Sequence, residues 1–273
     1  MSLKIHKIEA RDLPDLWFQA VYDVLEVGRV FKIDKGSYAG SSRLEYDYFI
    51  GHVKFPGTTP TLPEIPAHYG IPNPVEHNYV YGGEGYGRSY IEYLMTGHKE
   101  PNESYTYGQR LTDAVLLADH RRWYNDENWD IVNRAPNTAA IAENGVSYSV
   151  NQIEWIIETY KKHGHRNNQM VLQVAEPSDI ILKDPPCLRS IDTRIQDGKL
   201  HFFVYFRSWD LWGGMPANLA AIQALKEYMA ASIGVEDGEM IVESKGLHLY
   251  DYAVDLAKLR CMKTEQDKEK TND

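Results

Sequence analysis

Apolar residues recur at Leu16, Trp17, Ala20, Val21, Val24 and Leu25, the spacing of a helix with one buried stripe. Pro14 suits its first turn and Gly28 its stop, so the pattern predicts a helix from Leu13. Between Val30 and Lys54 the chain turns to β-branched and aromatic residues broken by Gly36, Gly40 and Gly51. This predicts strands with a turn or loop near residues 35–42. A second helical stripe, Ile153, Ile156, Ile157 and Tyr160, runs to Gly164, and Ser149 with Gln152 has the spacing of a capping box before it. Residues 170–175 read as a short strand. The segments 188–196 and 199–206 flank Asp197-Gly198, a two-residue hairpin signal. Apolar residues at 219, 222, 225, 229 and 233, followed by Gly234, predict a helix from Asn218 to Ile233.

Residues 56–87 are rich in Pro and Gly and lack a period, which is too long for an ordinary connection and predicts a functional or cover loop. The run Gly82-Gly83-Glu84-Gly85-Tyr86-Gly87 has the wrong glycine spacing for a dinucleotide fingerprint and reads as a turn. There is no internal repeat. Helices mixed with antiparallel hairpins predict one α+β domain over residues 1–262, with the polar, charged residues 263–273 as a disordered tail.

The 273 residues suffice for a sizeable core, and 43% hydrophobic with 25% charged residues is ordinary for a globular protein. A net charge of −10 argues against DNA or RNA as a partner, yet a few arginines in one cleft still suit an anionic small molecule. With only Cys187 and Cys261, neither a disulfide framework nor a Cys-rich metal site is expected. The first residues lack the apolar core of a signal peptide, and no apolar run is long enough to span a bilayer. The expectation is a cytoplasmic protein without a metal or a membrane partner.

Three segments carry candidate chemistry. Asp184-Pro185-Pro186-Cys187-Leu188 places a cysteine behind two rigid prolines at the entry to a strand. Phe206-Arg207-Ser208-Trp209-Asp210 ends a hairpin and leads through Gly213-Gly214-Met215-Pro216 to Asn218. His248-Leu249-Tyr250 alternates as on one strand face. Singly each has a plain reading: a cysteine as a small buried hydrophobe, Asn218 as a helix cap, Arg207 with Asp210 as a surface ion pair.

Together, Pro-Pro-Cys, Asp-Gly-Lys-Leu, Arg-Ser-x-Asp, Gly-x-Pro-x-Asn and His-x-Tyr resemble the thymidylate synthase family, in its order and at about its spacing, from Gln152 to Tyr250. The Tyr105-to-Arg110 segment looks like its Tyr-Gly wall. Leu188 after the cysteine is similar to the short archaeal-type members. The resemblance implies a large, mostly antiparallel or mixed sheet with flanking helices and a homodimer. It also implies a methyltransferase acting on dUMP, with methylenetetrahydrofolate or a methanopterin analogue as the one-carbon carrier. Cys187 would add to C6 of the ring, because C5 becomes nucleophilic only once C6 is attacked. Arg207 and Ser208 match phosphate-binding positions, and Asp210 and Asn218 match positions that read the base. His248 and Tyr250 match the pair on the sugar 3′-hydroxyl, and Tyr107 a tyrosine of the proton network. Asn218 in place of Asp points to uracil rather than cytosine.

Several positions depart from the family pattern. Asn168 and Gln169 stand where an arginine pair reaches the neighbouring subunit's phosphate, leaving Arg166 as the substitute. Arg29 and Arg43 are candidates for an N-terminal phosphate loop. The catalytic glutamate has Glu84 and Glu92 as candidates. Ala217 replaces a bulky aromatic, which predicts a more open pocket, and no extended C-terminal lid follows Tyr250. An open pocket keeps a second reading, a 5-hydroxymethylase of dCMP, CMP or dUMP. A third is a non-catalytic nucleotide-binding relative.

Overall fold

The computed structural model describes residues 2–34, 38–65, 89–101, 103–116, 140–142 and 145–263. Glu84, the glycine run and most of the expected cover loop lie outside these residues, as does the tail beyond Lys263. Lys263 itself donates to Tyr22 O at 3.0 Å and reaches Glu26 Oε1 at 2.7 Å.

The first helix, α1 (Leu13–Val27), forms where the stripe predicts it. Asp12 caps it by accepting from the Asp15 N–H, and Pro14 sits in its first turn. Strands β1 (Ile5–Ala10), β4 (Tyr48–Val53), β8 (Val171–Gln173), β9 (Leu188–Gln196), β10 (Lys199–Phe206) and β12 (Glu236–Ser244) form one mixed sheet in the order β1-β4-β12-β10-β9-β8. The β9–β10 hairpin closes through Asp197 and Gly198, both at positive φ, the conformation that a primed turn demands. A four-stranded sheet orders β11 (Trp209–Asp210), β13 (Leu247–Tyr250), β3 (Ser42–Glu45) and β2 (Arg29–Lys32). A smaller antiparallel sheet pairs β5 (Ala114–Leu116) and β6 (Ala140–Ala142) with β7 (Gly145–Val150). Among the described residues the remaining helices are α2 (Tyr90–Met95), α3 (Tyr107–Thr112), α4 (Gln152–His163), α5 (Gly214–Ile233) and α6 (Asp251–Arg260). The α+β architecture with a large mixed sheet and flanking helices is the one expected.

One face of the six-stranded sheet is the core. Phe49, Val53, Ile191, Phe202, Val204, Met240 and Val242 alternate inward beneath α1 and α5. A Cβ at Gly51 would lie 2.8 Å from Leu16 Cδ1 and 2.9 Å from Val242 Cγ2, so glycine sets how closely α1 seats on β4. On the opposite face Tyr48, Ile50, Phe203, Tyr205 and Ile241 are half-buried.

Two helix starts differ from expectation. The cap of α4 is Asn151, whose side chain accepts from the Ile153 and Glu154 N–H groups. Ser149 lies inside β7, so it forms no capping box. Gln152 instead donates to Arg110 O at 2.6 Å and Gln173 O at 2.8 Å, tying α3, α4 and β8 together. Helix α5 begins one turn earlier than predicted, at Gly214. Glycines and a proline carry little helical propensity, but Asp210 organises this turn from outside it (below). Asn218 is therefore an interior helix residue and not a cap.

Candidate active site

The hairpin brings the first two chemical segments together. Cys187 immediately precedes β9 and Arg207 immediately follows β10, and the Arg207 N–H donates to Cys187 O at 2.9 Å. The Arg207 guanidinium turns back on the proline loop. Its Nε donates to Pro186 O at 3.0 Å, its Nη2 to Pro185 O, and Asp184 Oδ1 lies at 3.5 Å. Half-buried Ser208 follows, beside Gly246.

A second clamp holds the same loop. Asp179, 1% exposed, takes Arg110 Nη2 at 2.9 Å and Arg189 Nη1 at 3.0 Å, and Arg189 also donates to Pro186 O at 3.2 Å. Burial works to raise the Asp179 carboxyl. The Glu176 N–H and the two arginines overcome it and hold the group below the usual carboxylate range. Neither Asp179 nor Arg189 stood out in the sequence. A lone aspartate in a short turn carries no signal that two arginines from distant elements meet on it.

Tyr107 opens α3 against this loop and accepts the Leu188 N–H on its hydroxyl at 3.3 Å. The next residue must be glycine. A Cβ at Gly108 would stand 2.0 Å from Thr96 O and 2.4 Å from Tyr93 O, because α3 lies directly on the end of α2. Tyr105, Tyr107, Tyr93 and Tyr90 form a chain of ring contacts with centroids 5.5–6.3 Å apart. Cys187 itself is half-buried. Burial pushes its thiol up, Arg207 and Arg189 oppose this, and Asp184 adds to it. The net direction is upward despite the two neighbouring guanidinium groups. The reason is desolvation, which outweighs both guanidinium charges, and Arg207 is itself engaged with the proline carbonyls.

The third segment joins through the second sheet. Strand β11 runs parallel to β13, pairing Trp209 with Leu247 and Asp210 with His248, and β13 pairs His248 with Glu45 and Tyr250 with Arg43. Cys187 and Asp210 both act electrostatically on Tyr250, whose hydroxyl is pushed up to about 12, mainly by burial. His248 is 2% exposed. Its Nδ1 faces Gly246 O at 2.8 Å, which assigns the proton to that nitrogen and makes Nε2 an acceptor. Nε2 is buried with no hydrogen-bond partner among the described residues. Burial, opposed by the Gly246 hydrogen bond and reinforced by Arg43, lowers the imidazole to about 4.

Asp210 and Asn218 have internal partners. The Asp210 carboxylate accepts from the Trp212, Gly213 and Gly214 N–H groups at 3.0–3.1 Å, which shapes the start of α5. Burial nevertheless pushes its carboxyl up. Asn218 Oδ1 accepts from Trp209 Nε1 at 2.8 Å, and its Nδ2 donates to the Tyr90 hydroxyl at 2.7 Å.

The other candidates are placed as follows. Arg29 is held by Asp47 Oδ2 at 2.7 Å and Ser2 O at 3.1 Å on the edge strand of the four-stranded sheet, whereas Arg43 lies next to Tyr250 and His248. Arg43 is ion-paired with Glu45 and is the arginine that the second sheet sets beside Tyr250. Arg166 is exposed in the loop between α4 and β8. Glu92 completes a capping box, accepting the Ser89 N–H at 2.8 Å, so it is a helix-capping acid and not a purely solvated one. Ala217 is fully buried. Where a lid would follow Tyr250, α6 begins at Asp251. No group of His, Cys, Asp and Glu side chains suited to a metal occurs among the described residues.

The sequence profile described as thymidylate synthase matches residues 109–271, more than half of the chain. The chain belongs to the thymidylate synthase family. Relatives include a Methanosarcina acetivorans protein, provisionally named as a thymidylate synthase, that is 27% identical over 249 residues, or 91% of either chain. A Methanosarcina barkeri protein of the same name is 25% identical over the same share. One from Methanothermobacter thermautotrophicus is 22% identical over 90% of this chain and 94% of its own. The archaeal-type resemblance of the sequence agrees with these. Membership brings with it a thymidylate synthase-like activity on a nucleotide with a folate-type cosubstrate. No described helix is long and apolar enough to cross a membrane.

Proposed function

We propose that this thymidylate synthase family protein transfers a one-carbon unit to C5 of dUMP, with Cys187 as the nucleophile. The observation that carries the reading is the meeting of Cys187, Arg207, Tyr107 and the His248–Tyr250 pair at one hairpin end. The buried acceptor on neutral His248 calls for a donor from the substrate, and a sugar hydroxyl supplies one. Arg207, Ser208 and Arg43 provide the cationic and polar side suited to a phosphate. The reduced folate, or a methanopterin-type carrier, supplies the carbon.

The Cys187 thiol gives up its proton and Sγ adds to C6, moving the electron pair of the ring double bond onto C5 and O4. Asn218 reads the ring edge. Asp210 holds the loop that places Asn218. Tyr107, fixed by the Leu188 N–H, and Glu92 on the adjoining helix handle the C5 proton. Half-buried Tyr48, Ile50, Phe203, Tyr205 and Ile241 on the outer face of the main sheet support a two-fold homodimer. Exposed Arg166 then reaches the neighbouring subunit's phosphate, and Phe203→Asp is expected to yield monomers on sedimentation.

The deciding assay is tritium release from 5-tritiated dUMP, dCMP, UMP and CMP with methylenetetrahydrofolate, with mass analysis of the product. A methylated uracil product supports the reading. A hydroxymethylated product replaces it with the hydroxymethylase, and nucleotide binding without release from any of the four refutes turnover with this carrier.

A further inference from the structure

An asparagine amide does not by itself distinguish uracil from cytosine. Uracil presents a donor at N3 and an acceptor at O4, and cytosine presents an acceptor at N3 and a donor at N4. One planar amide matches the first pattern, and the same amide rotated by a half turn matches the second. Selectivity at Asn218 therefore requires something that fixes which end is oxygen.

Trp209 has the chemistry for this. An indole N–H donates and cannot accept, and Trp209 Nε1 stands 2.8 Å from the Asn218 side chain, so the atom facing it must be Oδ1. The Tyr90 hydroxyl takes Nδ2 at 2.7 Å on the other side. The half-turned amide would set an NH2 group against the indole N–H in a site where Trp209 is 2% and Tyr90 1% exposed, beyond the reach of compensating water. The indole cannot swing away. It lies flat on Phe206, with centroids 4.1 Å apart and planes at 3°, and its own backbone N–H is held by Gly246 O at 3.0 Å. One oxygen lone pair and one N–H of the amide remain for a base, in a fixed order.

We propose that Trp209 is a positioning residue for base choice, its donor-only N–H locking the Asn218 amide in the uracil-reading orientation. The inference rests on the reading of Asn218 as the base-facing residue. The test is calorimetric binding of dUMP and dCMP, without a one-carbon carrier, to the full chain and to two variants. Trp209→Phe keeps the stack on Phe206 and removes the N–H. It is expected to narrow the dUMP-to-dCMP affinity ratio by about tenfold or more, partly through a gain in dCMP binding. Tyr90→Phe removes a hydrogen bond from the same amide but leaves the lock, so both affinities fall while the ratio stays within about twofold.

Loss of affinity for both nucleotides alike in Trp209→Phe would mean a purely structural role and overturn the proposal. So would equal narrowing by the two variants. If the native chain binds neither nucleotide, the pocket reading itself falls, which separates that failure from an unchanged ratio in a binding-competent Trp209→Phe protein. Should Trp209→Phe not fold, Trp209→Tyr serves the same purpose. Its hydroxyl both donates and accepts, so it no longer dictates the amide's end, and an unchanged ratio there also refutes the lock.

Discussion

Replacing Asp179 by Asn tests whether the cysteine loop is held by the buried arginine clamp. The carboxylate accepts from Arg110 Nη2 at 2.9 Å, Arg189 Nη1 at 3.0 Å and the Glu176 N–H at 2.9 Å. An amide keeps one acceptor oxygen and turns an NH2 group towards a second donor. Breaking a buried ion pair costs about 3–5 kcal/mol. Arg189 is 22% exposed and keeps part of its hydration, so the expected loss is about 2–4 kcal/mol. For a chain of this size that lowers Tm by about 5–12 °C.

The sign with pH follows from the depressed carboxyl. The unfolded aspartate titrates near about 3.9 and the folded one lower, so the clamp's contribution is present above that value and disappears as pH falls through the folded one. Thermal melts of both proteins between about pH 3 and 7 should therefore show the gap closing at the acid end. A gap below about 1 kcal/mol at neutral pH, or one that stays constant into acid, would refute the argument. The same variant should alter the rate at which iodoacetamide alkylates Cys187, since Arg189 no longer braces Pro186 O.

Other outcomes are expected. Cys187→Ala should abolish tritium release while calorimetry still detects nucleotide binding; retained turnover would remove Cys187 as the nucleophile. In the free enzyme, Cys187 alkylation should rise only at alkaline pH, above the ordinary thiol range of about 8.5, because burial outweighs the arginines. Asn218→Asp should fold, since Trp209 and Tyr90 can both donate to a carboxylate, and shift preference towards cytosine by about tenfold or more in competitive binding. His248 stays neutral above about 4, so KM for the nucleotide should show no inflection near about 6.5. His248→Phe should raise KM about tenfold or more in steady-state assays.

The elements with strong local signals were legible from the residues. The α1 stripe, the 188–206 hairpin with Asp-Gly at its tip and the α5 stripe with Gly234 as its stop depend on contacts a few residues apart. The ordered run from Pro-Pro-Cys to His-x-Tyr likewise pointed to the family, because side-chain chemistry in sequence order survives without coordinates. What the sequence left open depends on residues far apart in the chain. Asn151 displaces Ser149 as the cap of α4, since β7 holds Ser149 in a ladder. Arg43 approaches Tyr250, and Arg29 is held by Asp47, because β13 pairs with β3 and not with β2. Asp179 meets Arg110 and Arg189 across 69 and 10 residues of chain. Cys187 is driven up because burial, which no local motif reports, outweighs the adjacent charge. The sequence by itself determined the elements and the kind of chemistry, for those rest on local periodicity and residue type. Tertiary structure decided which groups face one another, and with that the protonation of Cys187 and His248 and the orientation of the Asn218 amide, because hydrogen bonds and desolvation act through space.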